Sequence, residues 1–384
     1  MAQNEGWMAT ETDLLSQAGS LGDLYELIRP QISPTLIDGE GWEKLVDRAR
    51  ELPVTMAAFP FGFEVPLHDS RPIVDFGVSL VSGTRTASMF KQRAESEVSD
   101  PALKGLVQLI EEKGRKDSPL HHITGPKLLL EFDIASAVAD SRPNPGIFLY
   151  PEDLVLSGGN GPGEDSHKRK LIKLRAVLEA LDKAAARKSI RSQHDRVENI
   201  FGELPEGTRI LAAGAFPSRD SSTRIAIQGF RDTSSIETLV RKCGWQGNLT
   251  DAHSFLNRLI ESREINRVSL HLDVQDDGVG KKLGFGIFCQ PDDTMKAIRG
   301  GGYWLDRPKY WAATLKGFGE LELAQAKKLE ALSGWSSGPC LLYGSKNSFL
   351  LLRGIHHLKM AVDNGRISQI KAYVFMTFCT YRKT

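Results

Sequence analysis

The chain has 384 residues, of which 41% are hydrophobic and 25% are charged, as expected for a globular protein with a sizeable core. Its formal net charge of +1 excludes a global electrostatic field that would attract nucleic acid or an anionic membrane surface. We therefore expect no nucleic-acid partner and no membrane partner, and any basic site must be local.

Cysteine spacing and hydropathy narrow the class of protein further. The four cysteines are widely spaced and form no CxxC pair, which argues against a zinc site and fits a reducing compartment. No apolar run approaches the roughly 20 residues that cross a bilayer. The first residues are polar and acidic, unlike a signal peptide. These features predict a soluble, cytoplasmic protein without a metal site.

The N-terminal part of the chain is predicted to be helical. Residues 1–40 form a helical lead that includes a helix over residues 21–28, and a further helix covers residues 42–52. We expect residues 41–384 to form a single domain, because no segment within them is long and polar enough to separate independent units.

Beyond this lead, β-hairpins alternate with helices. Hairpins are indicated by strand-like apolar patterns on both sides of a short polar turn, and they cover residues 61–81, 127–151, 209–230, 267–290 and 356–378. The last one contains the strong turn signal Asp-Asn-Gly-Arg. Between hairpins the hydrophobic period changes to about 3.6. This predicts helices over residues 101–113, 168–201 and 319–332, and two short helices within residues 234–262 with Asp251 as a candidate N-cap.

Together these elements predict an α+β fold, in which five ααββ units build a ten-strand antiparallel β-barrel with helices on the outside. Ten antiparallel strands do not lie flat comfortably, and closing the sheet removes its exposed edges. With helices outside, the apolar side of each strand faces outward and the polar side faces the lumen. The alternative is a sheet whose polar face is simply solvated.

Strand alternation identifies the residues that would face this lumen. Along residues 267–274, Val and Leu occupy one face, and Ser269, His271 and Asp273 occupy the other. The same rule places in the lumen Glu64, Glu131, Asp133, Arg224, Ala226, Gln228, His357, Lys359, Gln369, Lys371 and Tyr373, with Phe288 and Tyr150 as aromatic walls. Carboxylates, bases and rings that converge from different strands are typical of a pocket for chemistry.

Other motifs carry less weight. The sequence has no GxSxG or HExxH motif and no glycine-rich loop with nucleotide-binding spacing. The doublets His121-His122 and His356-His357 are expected to point to opposite faces of strands, which would make them poor metal ligands. The basic run over residues 167–175 is expected to be a solvated helix face.

The order of elements resembles the aromatic prenyltransferases of the ABBA, or prenyltransferase-barrel, type over about residues 42–378. In the indole-type branch of that family, the first strand carries a Glu that accepts a hydrogen bond or proton from the aromatic acceptor. Here Gly-Phe-Glu-Val places Glu64 in a similar position. Asp75 in Arg-Pro-Ile-Val-Asp-Phe is an alternative match, but the hairpin alignment favours Glu64 because Asp75 falls on the second strand.

The family also carries Lys, Arg and Tyr on its returning strands, in patterns such as Lys-x-Tyr, to hold a prenyl diphosphate and shield an allylic cation. Lys371-Ala-Tyr373 in the last hairpin is similar to this pattern. In the second and third hairpins, Lys and Tyr are replaced by Gly146, Phe148, Ala226 and Gln228. Four positive groups remain to replace the hydration of a diphosphate, namely Arg224, Lys282, Lys359 and Lys371.

The resemblance implies an enzyme that transfers an isoprenoid from its diphosphate to an aromatic or indole-type acceptor, either a small molecule or a peptide side chain. The catalytic candidates are Glu64, which would orient the acceptor and take up a proton, and His271 as the other base. The substrate-binding candidates are Arg224, Gln228, Lys282, Lys359, Lys371, Tyr373, Glu131 and Asp273. No resident cofactor is predicted, and Mg²⁺ with the diphosphate donor is left open. The alternative is a barrel that has lost diphosphate chemistry and binds or otherwise modifies a peptide or natural-product intermediate.

Overall fold

The chain folds into a closed antiparallel β-barrel inside a layer of helices, as a computed structural model shows. The structure describes residues 2–69, 74–96, 101–134, 144–152, 156–158, 164–188, 190–218, 222–261, 267–289, 307–335, 340–343 and 348–381. Its strands are β1 (Phe61–Pro66), β2 (Asp75–Val81), β3 (Lys127–Phe132), β4 (Gly146–Leu149), β5 (Arg209–Ala215), β6 (Thr223–Gln228), β7 (Arg267–Val274), β8 (Val279–Phe288), β9 (Cys340–Tyr343), β10 (Ser348–Asp363) and β11 (Arg366–Tyr381). Its helices are α1 (Ala2–Leu15), α2 (Leu21–Ile28), α3 (Gly39–Ala49), α4 (Arg85–Ser96), α5 (Pro101–Gly114), α6 (Pro119–Thr124), α7 (Glu164–Ala184), α8 (Arg191–Gly202), α9 (Thr233–Lys242), α10 (Thr250–Glu261), α11 (Arg307–Gly319) and α12 (Ala326–Trp335).

The barrel closes between the first and last strands. β1 to β8 pair with one another in sequence order, β8 pairs with β10, β10 with β11, and β11 with β1. The predicted ten-strand antiparallel barrel is therefore confirmed. The short strand β9 was not predicted, and it pairs with the beginning of β10 outside the closed ring.

All five predicted hairpins are present, and the last one is longer than predicted. β10 and β11 have 16 residues each and pair from Asp363↔Arg366 to Ser348↔Tyr381. The Asn-Gly turn between them is confirmed, because Asn364 and Gly365 have φ of 50° and 82°, as a tight hairpin turn requires.

The predicted helices occur in the predicted order, but α4, α6 and α11 were not predicted, and residues 168–201 are divided between α7 and α8. The helix predicted over residues 319–332 is present but begins later, at Ala326, and a separate helix, α11, ends at Gly319. Between them, hydrogen bonds of turn spacing, such as Ala324 N to Leu321 O, replace the helical ones. The candidate cap was wrong, since α10 begins at Thr250 and Asp251 lies within its first turn. None of the described helices is long and apolar enough to span a membrane.

The apolar core lies between the barrel and the helices. On α2 and α3 the buried rings of Tyr25 and Trp42 pack against outward-facing aromatic residues of the first hairpin. The Tyr25 ring centroid lies 5.4 Å from that of Phe63 and 6.0 Å from that of Phe76. The apolar face of each strand packs against the surrounding helices, so the polar face points into the lumen of the closed ring. The alternative of a solvated sheet face does not apply.

Candidate functional site

The lumen contains a polar cavity of about 110 Å³. It is lined by Glu64, Arg224, His271, Asp273, Lys282, Leu283, Gly284, Lys359, Ala361, Gln369, Lys371 and Tyr373. Both residues predicted as catalytic are in this lining, together with six of the eight predicted to bind substrate. The structure thus brings together side chains from both ends of the sequence in one space.

Glu64 is held by two donors from the strand that closes the barrel. Glu64 on β1 lies opposite Tyr373 on β11, and its carboxylate accepts hydrogen bonds from Lys371 Nζ on Oε1 and from the Tyr373 hydroxyl on Oε2. Burial raises the pKa of Glu64, but the positive charges of Lys371 and Lys359 and the two hydrogen bonds lower it to about 2. Glu64 is therefore an ionised, fixed acceptor at neutral pH.

Arg224 and Asp273 form a bidentate ion pair across β6 and β7. Arg224 Nε lies 2.7 Å from Asp273 Oδ1, and Nη2 lies 2.9 Å from Oδ2. The guanidinium carbon also lies 4.7 Å from the centroid of the Phe216 ring, a cation–π distance. The pair fixes the orientation of the guanidinium and offsets its positive charge.

Lys359 lies at the centre of the cationic side of the cavity. It is opposite Lys371 in the β10–β11 pair, and its Nζ is 5.9 Å from the Tyr373 ring centroid. Gly284 on β8 leaves room for it, because a Cβ at that position would lie 3.0 Å from Lys359 Cε. Burial and the charge of Arg224 lower the pKa of Lys359 to about 8, against the opposite effect of Glu64. The amine is thus mostly charged at neutral pH, although it holds its proton less tightly than an ordinary lysine.

Three rings form a continuous stack beside the cavity. The His357 ring lies between Phe288 and Tyr373, with centroid distances of 4.9 Å and 4.1 Å and interplanar angles of 19° and 14°. The guanidinium carbon of Arg267 lies 4.3 Å from the centroid of Phe288. Burial, with His356 and His271 nearby, holds the pKa of His357 well below its usual range. The stack is therefore a neutral aromatic wall.

The two histidine doublets were assigned to the wrong geometry. His121 and His122 lie on α6, not on a strand. The pairing of β10 shifts by one residue between Ile355 and His357, so alternation fails there and the Nδ1 atoms of His356 and His357 lie 2.8 Å apart. This bulge turns both rings toward Phe288.

His271 faces the cavity next to Ser269. Its Nε2 lies 2.9 Å from Ser269 Oγ. Burial and the positive charges of Lys359 and Arg224 hold its pKa well below the usual range. His271 is therefore neutral at physiological pH and can give or accept a hydrogen bond, depending on its tautomer.

Three predicted binding residues lie away from the centre. The side chain of Lys282 is 54% exposed, and its Nζ is 4.0 Å from Asp363 Oδ2, which places it at the cavity mouth. Gln228, with its amide oxygen oriented toward Arg209, accepts a hydrogen bond from Nε at 2.6 Å. Glu131 lies opposite Gly146 on β4. Burial raises the pKa of Tyr373, and the charges of Glu64 and Glu131 raise it further. Gln228 and Glu131 are not part of the cavity lining.

Several lumen residues were not proposed as site residues from the sequence. Asp75 lies directly opposite Glu64 in the first hairpin, and Arg209 and Arg267 lie at the first positions of β5 and β7. The position of the turn in the first hairpin already indicated that Asp75 on the second strand lies near Glu64. This was used only to prefer Glu64 over Asp75 as the family match. Alternation along residues 267–274 also puts Arg267 on the face of Ser269 and His271, but neither Arg267 nor Arg209 was singled out because each stands at the first position of its strand.

Large rings fill the side of the lumen where the family pattern predicts basic and tyrosyl residues. The rings of Phe148 and Phe216 meet edge to face at a centroid distance of 5.2 Å. Phe148 covers Gly214 so closely that a Cβ there would meet the ring at 2.4 Å. Within the described residues, no group of three or more His, Cys, Asp or Glu side chains is arranged to hold a metal ion.

No family model matches the chain, and no curated protein matches its sequence. Among solved structures, it is similar to the apo form of the prenyltransferase PriB, with 13% identity, coverage of 93% of this chain and 96% of that chain, and a TM-score of 0.48. It is also similar to 6-dimethylallyltryptophan synthase from Micromonospora olivasterospora in complex with DMASPP and Trp (11% identity, 83% and 82% coverage, TM-score 0.43). A third is 5-dimethylallyl tryptophan synthase from Streptomyces coelicolor, also in complex with DMASPP and Trp (12% identity, 93% and 95% coverage, TM-score 0.42). The similarity concerns the fold alone, and the closed ten-strand ring inside helices follows from the strand pairing of this chain itself.

Proposed function

We propose that this barrel is a prenyltransferase that moves an isoprenoid from its diphosphate to an aromatic or indole-type acceptor, a small molecule or a peptide side chain, inside the lumen. The observation that carries the proposal is the composition of one cavity. It combines four cationic side chains from β6, β8, β10 and β11 with a carboxylate that two donors fix in place.

The cationic side of the cavity fits the leaving group. Cleavage of the allylic C–O bond leaves its electron pair on the diphosphate, so the developing charge is anionic. Lys359 and Lys371 can donate charge-assisted hydrogen bonds to its oxygens, with Lys282 at the mouth as a third donor. The allylic cation would then be shielded by the quadrupoles of the stacked rings.

The carboxylate side of the cavity fits the acceptor. Glu64 can accept a hydrogen bond from the N–H or O–H of an aromatic acceptor and orient its ring toward the allylic carbon. His271, neutral and in the same lining, is the second candidate for receiving the ring proton. Prenylation is complete when that proton leaves and the ring regains its aromaticity.

Calorimetry with dimethylallyl and geranyl diphosphate, each with and without Mg²⁺, tests the donor half of the proposal. The expected result is saturable micromolar binding that Lys371→Ala weakens. The acceptor half is tested by incubating the protein with donor and tryptophan, indole or a tryptophan-containing peptide, and measuring a prenyl mass increment. Absence of binding for both donors would remove the proposal.

A second candidate is supported by the charge balance of the lumen. Arg224 is already paired with Asp273, and Lys371 with Glu64, so an incoming diphosphate must compete with two carboxylates. On this hypothesis the barrel has lost diphosphate chemistry and binds or otherwise modifies a peptide or natural-product intermediate. Tight binding of such a molecule, with inorganic pyrophosphate failing to compete, would favour this candidate.

A further inference from the structure

A row of carboxyl groups crosses the first strands of the barrel. Glu64 on β1 is opposite Asp75 on β2, and the pairing of Phe76 with Phe132 places Asp133 next in the row. Directly opposite residues of an antiparallel pair have Cβ atoms about 4.5–5.5 Å apart. The carboxyl groups of Glu64 and Asp75 are therefore within reach of each other or of one shared water.

The two carboxyl groups have different partners. Both oxygens of Glu64 accept hydrogen bonds, from Lys371 and Tyr373, and protonation of Glu64 would weaken both. Asp75 Oδ1 accepts a hydrogen bond from the backbone N–H of Ile134 at 2.7 Å. That bond orients the Asp75 carboxyl.

The surroundings of Asp75 give it a higher pKa than Glu64, so it binds a proton more readily. Burial and the negative charges of Glu64 and Asp133 raise the pKa of Asp75 to about 6, while the Ile134 N–H and the charge of Lys371 lower it. The pKa of Glu64 is about 2. Adjacent carboxyl groups whose surroundings separate their pKa values divide the acid and base roles between them.

We propose that Asp75 is a positioning residue that relieves Glu64 of the proton released in each transfer, an inference that rests on the proposed prenyl transfer. After the new C–C bond forms, the C–H electron pair of the acceptor returns to the ring and the proton passes to the Glu64 carboxylate. It then moves to Asp75, either directly or through one water, and the hydrogen bonds from Lys371 and Tyr373 to Glu64 are restored. Asp75 finally releases the proton to solvent.

The test is the pH dependence of kcat in three proteins. The original chain is expected to lose activity as the pH falls through about 6, because Asp75 must be ionised to accept a proton. Asp75→Asn is expected to lower kcat about tenfold at pH 7 and to abolish this acid limb, with donor affinity unchanged within twofold. Asp133→Asn removes a neighbouring negative charge, so it should keep the limb and shift it to lower pH. Unchanged kcat and an unchanged acid limb in Asp75→Asn would overturn the inference.

A second measurement separates this inference from the proposed function. Infrared difference spectra of the free protein with ¹³C-labelled aspartate should show a carboxyl group that titrates near pH 6 and is absent in Asp75→Asn. If no acceptor is prenylated, the proposed function fails whatever the spectra show. If prenyl transfer occurs but no aspartate titrates in that region, the role of Asp75 fails alone.

Discussion

Tyr373 and Glu64 face each other across β11 and β1 and are joined by a hydrogen bond from the phenol to the carboxylate. The same phenol ring stacks on His357. One residue thus links the ionised acceptor of the lumen to its aromatic wall. The strand pairing that closes the barrel also sets the geometry of the candidate site.

Removal of the Tyr373 hydroxyl should impair transfer without opening the stack. Tyr373→Phe keeps the ring but removes a hydrogen bond to a charged group, a bond typically worth about 1.5–3 kcal/mol. We expect kcat to fall about tenfold and the pKa of Glu64 to rise. Tyr25→Phe is the matched control, because the buried Tyr25 hydroxyl has no hydrogen-bond partner among the described residues. Equal activity of both variants would contradict the link between Tyr373 and Glu64.

Donor and acceptor functions should separate between Lys371 and Glu64. Lys371→Ala removes a cation from the cavity and should weaken the binding of dimethylallyl diphosphate about tenfold by calorimetry. Glu64→Gln should reduce turnover at least tenfold without weakening donor affinity, because it removes a negative charge that competes with the diphosphate for Lys371. Lys282→Ala removes a cation at the cavity mouth, where the side chain is 54% exposed and water weakens its attraction for the donor, so affinity should fall by less than threefold. Unchanged turnover in both inner variants would remove the site assignment.

Release of Arg224 from its carboxylate should strengthen anion binding. Asp273→Asn removes the negative charge of the bidentate pair and adds one net positive charge to the lumen, while Phe216 still holds the guanidinium from one side. We expect inorganic pyrophosphate to bind about tenfold more tightly in a calorimetric titration. Weaker binding would mean that the pair is needed to position Arg224.

Acid should destabilise the protein through Glu64. The folded state lowers the pKa of this carboxyl from 4.5 to about 2, so the stabilisation is fully present above pH 4.5 and is lost as the pH falls toward 2. A shift of that size corresponds to on the order of 3 kcal/mol. In urea unfolding, Glu64→Gln should be less stable at pH 7 and should lose less stability on acidification. Glu40→Gln, in an exposed pair with Lys44, should unfold like the original chain at each pH.

Packing around the Phe148 ring in the lumen can be tested by substituting Gly214. Gly214→Ala would place a methyl group 2.4 Å from the Phe148 ring, an overpacking that typically costs about 1–3 kcal/mol. Gly202→Ala at the end of α8 meets nothing within 4 Å and should leave stability within about 0.5 kcal/mol. Thermal unfolding of the two variants measures the difference. A tolerated Gly214→Ala would show that the Phe148 ring can move.

Sequence patterns predicted the barrel because its signals are local. Each hairpin combines alternation with a turn of its own, as in the strands that meet at Asn364 and Gly365. The four apolar residues of β9 show no alternation, so the strand was missed even though its partner, the beginning of β10, follows only five positions later at Tyr343↔Ser348. The helix boundary at Gly319 was missed because helix formers continue beyond it.

Sequence alternation predicted which side chains face the lumen, but it did not predict the contacts between neighbouring strands. Alternation placed Glu64, His271 and Lys359 in the lumen, because a side chain's face depends on its own strand. Neither the bulge at His356 nor the ion pair of Arg224 can be read from one strand, since both depend on the register between neighbours. The sequence therefore predicted the cavity lining better than its charge balance.

Closure of the ring between its two ends also determines when the cavity can exist. Glu64 lies 307 residues before Lys371 and 309 before Tyr373, so these contacts are among the most distant that the chain makes. Pairing over such separations has a high entropic cost and slows folding. Until β11 docks between β10 and β1, two strand edges stay exposed and prone to pairing with other chains. During synthesis, Glu64 is made early, but its hydrogen bonds to Lys371 and Tyr373 can form only after nearly all of the remaining chain has been synthesised.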